Sequence, residues 1–115
     1  MTHANFCANS KFFVEALLGK IMKKMSIIRF RPKAGQFENF LNELVAYHEK
    51  GAIGVEDRWF LRRDDELIAV VIRDEQKFAQ SAEAGVSFLD SVRHMLEEFN
   101  EVDRHTIPLT GDILA

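Results

Sequence analysis

The chain has 115 residues, 47% hydrophobic and 29% charged, with a formal net charge of −3 and a pI near 5.8. One ordinary soluble globular domain fits these totals, and the acidic balance argues against a nucleic-acid partner. The lone cysteine, Cys7, rules out a disulfide framework and a thiolate metal site, which fits a reducing cytoplasm, and no apolar run approaches the ~20 residues of a membrane span.

From Ser10 onward, Val14, Leu17, Leu18, Ile21, Met22 and Met25 recur at helical spacing. This predicts an amphipathic N-terminal helical extension over residues 1–24, packed on the domain or on a partner, with the main domain at 25–115. Glu15 interrupts the apolar region and Lys20, Lys23 and Lys24 follow it, the reverse of a secretory signal. The alternative is that translation naturally starts at Met22 or Met25.

A strand is predicted over residues 25–31, with Ile28 and Phe30 on one face and Ile27, Arg29 and Arg31 on the other. Pro32 and Gly35 end it. An amphipathic helix follows over 36–50, where Phe37, Phe40, Leu41, Leu44, Val45 and His48 keep the 3.6-residue period. Gly51 and Gly54 mark its exit. Two strands over 56–73 are joined by a tight turn at Asp64-Asp65, and the unbroken apolar run Leu67 to Ile72 marks a central strand buried on both faces. A long helix is predicted over 75–99, weakened or kinked at Gly85 into a short and a longer piece. The last strand, 105–110, contains Pro108, which cannot donate to a ladder and so belongs at an edge.

This order is the ferredoxin-like α+β plan, β-α-β-β-α-β with an antiparallel sheet. Two helices cover one sheet face, so something else must cover the other, and a homodimer answers that need. On the second strand the more apolar set, Trp59, Leu61 and Arg63, is expected under the helices, leaving Arg58, Phe60 and Arg62 on the open face with Arg29 and Arg31. Six of the eight arginines fall in strands. They read either as interfacial ion pairs and sheet-end caps, or as a site binding a small hydrophobic or anionic molecule through Arg29, Arg31, Arg58, Phe60 and Arg62.

The run Phe30-Arg31-Pro32-Lys33-Ala34-Gly35-Gln36-Phe37-Glu38-Asn39-Phe40 resembles the strand-to-helix junction of the antibiotic biosynthesis monooxygenase-like group of the dimeric α/β-barrel superfamily. With the hairpin and second helix, the resemblance covers residues 25 to 112. It implies that two open sheet faces pair into a shared barrel. The functions it implies range from cofactor-free oxygenation of aromatic polyketides or quinols, through haem degradation and isomerisation, to plain ligand binding, and fold does not choose among them. The chain departs from the group where many members end the third strand with tryptophan, having Ile72-Arg73 instead. The haem-degrading pattern of tryptophan and histidine about ten residues apart is missing too, since Ala84 stands at that spacing from His94.

Among the histidines, His48 sits on an apolar stripe as a core or boundary residue, and His94 shares a polar face. His105 is the best acid–base candidate. No metal-binding or phosphate-loop motif occurs, so no cofactor is expected. Asp64-Asp65-Glu66 reads as a solvated turn. The resulting expectation is a small-molecule-binding dimer acting as a cofactor-free monooxygenase on a small aromatic or quinol-like substrate. A non-catalytic metabolite-binding, stress or regulatory dimer is the alternative.

Overall fold

The computed structural model describes residues 23–115. Residues 1–22 of the expected N-terminal helix lie outside the described residues, whereas Lys23 and Lys24, expected in that extension, begin the first strand. The elements are β1 (Lys23–Phe30), α1 (Phe37–Glu49), β2 (Val55–Arg63), β3 (Glu66–Asp74), α2 (Phe78–Val92) and β4 (Ile107–Asp112). All neighbouring strands pair antiparallel in the order β2-β3-β1-β4, with both crossovers helical. This is the expected ferredoxin-like α+β arrangement, with Pro108 on an edge strand as expected.

Strand register follows from side-chain alternation. Phe60, Ala69, Ile28 and Pro108 form one cross-strand row, while Trp59, Val70, Ile27 and Leu109 form the next. The first row lies under the helices, where Phe60 and Ile28 pack against a core of Phe30, Phe40, Leu44, Leu67, Ala69, Val92 and Leu96. Phe40 is 0% exposed and meets Phe30 at 4.9 Å between ring centroids. The second row lies on the open face.

Three expectations are corrected by this geometry. On β2, Trp59 and Leu61 are 48% and 51% exposed on the open face, whereas Arg58, Phe60 and Arg62 face the helices. The reason is complementarity of size. Phe60 stands opposite the small Ala69 and fills space that Trp59 would overfill. Because β2 is an edge strand, Arg58 and Arg62 reach water from its margin; Arg62 stacks its guanidinium 4.0 Å from the centre of the Phe37 ring.

The second correction concerns α2. A short 3₁₀ turn (Glu75–Lys77) precedes it, but the α-helix then runs through Gly85 without a break. The third is where that helix stops. After Val92 a single 3₁₀ turn (Arg93–Met95) leads into extended backbone at Leu96. There the chain pairs with the segment after β1, through Lys33 N–H to the Met95 carbonyl at 2.8 Å and Glu97 N–H to the Arg31 carbonyl at 2.7 Å. Phe99 is therefore not helical, and its ring lies against the guanidinium groups of Arg29 and Arg31 at 5.3 and 4.6 Å.

The turns are set by local chemistry. Asp64 takes φ 56° in the two-residue hairpin connection, a conformation aspartate tolerates better than most residues. Gly54, at φ +75°, lies so near α2 that an added Cβ would come within 3.0 Å of Lys77 Cβ. Among the described residues, no helix is long and apolar enough to cross a membrane.

Candidate functional site

Small residues leave a gap between the sheet and α2. Ser26, Ala69 and Val71 rise from the strands, and Ser81, Ala82 and Gly85 descend from the helix, so neither layer fills the space between them. A Cβ built on Gly85 would meet no neighbouring atom within 4 Å. The result is a cavity of about 320 Å³, at the lower end of the ~300–1,000 Å³ range of small-molecule pockets. Its walls are largely apolar and aromatic, with Phe30, Phe78 and Phe88 among them.

Polar side chains converge on the cavity from two elements. The alternation Leu67, Ala69, Val71, Arg73 puts an arginine at the end of the buried row of β3. Tyr47 and His48 come from the last turn of α1. Tyr47 stacks on Phe88 at 4.6 Å, and His48 is tilted against Phe60 at 5.3 Å. Two atoms here are buried without a hydrogen-bond partner among the described residues: His48 Nδ1 and Arg73 Nε. Buried polar atoms are ordinarily paired, so these two are exceptions among the described residues. Ser26 and Thr110 also line the cavity, with their hydroxyls bonded to each other at 2.8 Å.

Electrostatics follow from this enclosure. Burial, reinforced by the charges of Arg58 and Arg73, pulls the His48 imidazole down to about 4, so it is neutral at physiological pH. Burial raises the Tyr47 phenol, an effect that the charge of Arg73 partly offsets. Burial likewise lowers Arg73 from the usual arginine value, opposed by Tyr47. A neutral imidazole, a protonated phenol and a guanidinium thus share one apolar chamber. Such a set can donate hydrogen bonds, hold an anion and, through His48, accept a proton.

The residues singled out from the sequence do not gather at one place. Arg29 lies on the open face, where Nε and Nη2 donate to the Glu66 carboxylate at 2.7 and 2.8 Å. This pairing pulls the Glu66 carboxyl below its usual value. Arg31 is 3.6 Å from the same carboxylate. Arg58, Phe60 and Arg62 stand on the other side of the sheet. His105 lies in a shallow open groove with Lys33, Arg93 and Glu98, its Nδ1 3.2 Å from Arg93 Nη1, and it does not line the cavity. Sequence reasoning missed Tyr47 and the inward end of Arg73, and read His48 as packing alone. The signal for Arg73 was available: it shares parity with Leu67, Ala69 and Val71 on the most apolar strand. Among the described residues, no group of three or more His, Cys, Asp or Glu side chains is placed to hold a metal ion.

No protein-family model matches the sequence, and no curated protein matches it. Solved structures do. One is a protein of unknown function from Nitrosomonas europaea, with a TM-score of 0.62 and 15% identity over 84% of this chain and 94% of that one. Another is a NipSnap-family protein of unknown function from Agrobacterium tumefaciens, with a TM-score of 0.50 and 12% identity over 82% of this chain and 90% of that one. At these identities the likeness is one of fold.

Proposed function

We propose that this protein binds a small, largely apolar molecule in the cavity between the sheet and its helices, and that two copies pair through their open sheet faces as a dimeric α/β barrel. The observation that carries the first part is the convergence of Tyr47, His48 and Arg73 on an otherwise apolar cavity of about 320 Å³. The second part is supported by the row Trp59, Val70, Ile27 and Leu109, in which Trp59, Ile27 and Leu109 are exposed and Val70 is half-buried between them. A second copy presenting the same face would cover it and leave the cavity in each chain intact.

The catalytic form of this reading is a cofactor-independent monooxygenase. His48 would take the proton of a quinol-type substrate, and Arg73 would hold the resulting anion. That anion would give its electrons to dioxygen and form a carbon–oxygen bond at a ring carbon bearing hydrogen. The hydroperoxide would then break its O–O and C–H bonds, releasing water and leaving one oxygen on the ring as a hydroxyquinone. His48 suits the task better than His105, because it lines the cavity and His105 does not. The non-catalytic form uses the same cavity to hold a metabolite.

Binding is tested by native mass spectrometry of gently purified protein. The reading expects about twice 13.2 kDa with a small-molecule adduct that is lost in Gly85→Leu, whose side chain would fill the cavity. A monomer would remove the barrel, and an adduct indifferent to Gly85→Leu would remove the cavity as its site. Oxygen uptake with a panel of quinols separates the two forms: uptake abolished by His48→Gln supports the oxygenase, and no uptake across the panel supports the binding protein.

A further inference from the structure

We infer that the ligand of the cavity is a monoanionic acid, a single planar carboxylate on a flat apolar body, with its headgroup held by Arg73. The inference rests on the cavity being the ligand site and adds the chemical class of its occupant.

Charge balance is the first argument. Of the residues lining the cavity, Arg73 is the one with a permanent charge, and no aspartate or glutamate joins it there. Among the described residues Arg73 makes no ion pair. Two nearby acids are already engaged: Lys24, directly across from Arg73 on β1, holds Asp112 at 2.5 Å and Glu75 at 3.6 Å. What faces the guanidinium is the Phe78 ring, 5.2 Å from its centre. A ring face offsets part of a buried positive charge but supplies no hydrogen-bond acceptor for Nε. An arginine keeps its proton, and with no carboxylate beside it among the described residues an anionic ligand would find its charge free to pair.

Geometry is the second argument. Arg73 lines the cavity, and a planar guanidinium is the group that pairs two parallel hydrogen bonds with a carboxylate. The rest of the chamber then limits the total charge to one. His48 stays neutral beside it, and Tyr47 stays a phenol, so neither offers a second cation to a dianion. His48 and Tyr47 line the same cavity as neutral polar side chains, which suits a neutral polar substituent on the ligand. Phe30, Phe78 and Phe88 suit a flat body with no further charge.

Isothermal titration calorimetry on the full chain tests this with matched pairs: benzoate against benzamide, and 2-naphthoate against 2-naphthamide. Each pair shares shape and differs in charge. The expected result is at least one acid binding tenfold or more tighter than its amide, with Arg73→Gln removing that preference while leaving amide binding within about threefold. If an amide binds as tightly as its acid, the anionic class is overturned while the cavity stands as a binding site. Binding of neither member of either pair overturns the cavity reading and the inference together. Should Arg73→Gln fail to fold by circular dichroism, the comparison within each pair on the unaltered protein still decides.

Discussion

The two faces of one sheet show how the same residue types reach opposite ends. On the helix side, Leu67 and Ala69 are 1% and 2% exposed, and Phe60 and Ile28 pack against the core formed with α1 and α2. On the open side, Trp59, Val70, Ile27 and Leu109 are equally apolar yet have no layer above them among the described residues. Polar groups differ as well. Arg29 on the open side is matched by Glu66, whereas Arg73 and His48, which line the cavity on the helix side, each keep a nitrogen without a partner among the described residues. Burial therefore tracks packing partners, and unmet polar demand sits on the packed side. The open face asks for surface, and the cavity asks for a ligand.

Four predictions sharpen that contrast. The largest effect is expected from Phe40→Ala on the packed side, which should cost about 3–5 kcal/mol of stability in urea unfolding, because Phe40 is fully buried and its removal leaves a void. Next comes pH. His48 binds its proton at about 4 in the folded chain against 6.5 when unfolded, so between those values the unfolded chain takes up the proton first. Stability should then rise by up to roughly 3 kcal/mol as pH climbs from about 4 to 6.5, and His48→Gln should flatten that part of the profile. A smaller gain of about 1 kcal/mol is expected from Gly85→Ala, which improves helix propensity where a Cβ meets no atom, measured by thermal unfolding. On the open side, Leu61→Asp should leave the far-UV circular dichroism of the chain unchanged. Its effect should appear in light scattering, where the mass falls to 13.2 kDa.

Much of the fold was legible because its signals are local. The alternation in β1, the period of α1, the acidic turn at Asp64 and the edge position of Pro108 each follow from a few adjacent residues. What was not legible depends on partners distant in sequence. Trp59 and Leu61 form the more apolar set on β2, but the side on which they lie is decided by Ala69 on β3, which leaves room for Phe60. Leu96 and Phe99 keep helical spacing beyond Met95, yet hydrogen bonds to the segment at Arg31 and Lys33 draw the chain out of the helix. The site was harder still. Arg73 and His48 are ordinary in sequence, and their meaning lies in the small residues opposite them, Ser26, Ser81 and Gly85, which leave the cavity they share.

The most direct test of the central claim is an amide chemical-shift map of the isotope-labelled chain titrated with 2-naphthoate. A ligand in the cavity predicts shifts clustered at Tyr47, His48, Arg73 and Gly85, with Ile27, Trp59 and Leu61 unmoved. Shifts confined to Ile27, Trp59, Leu61 and Leu109 would place the ligand on the open face and contradict the account.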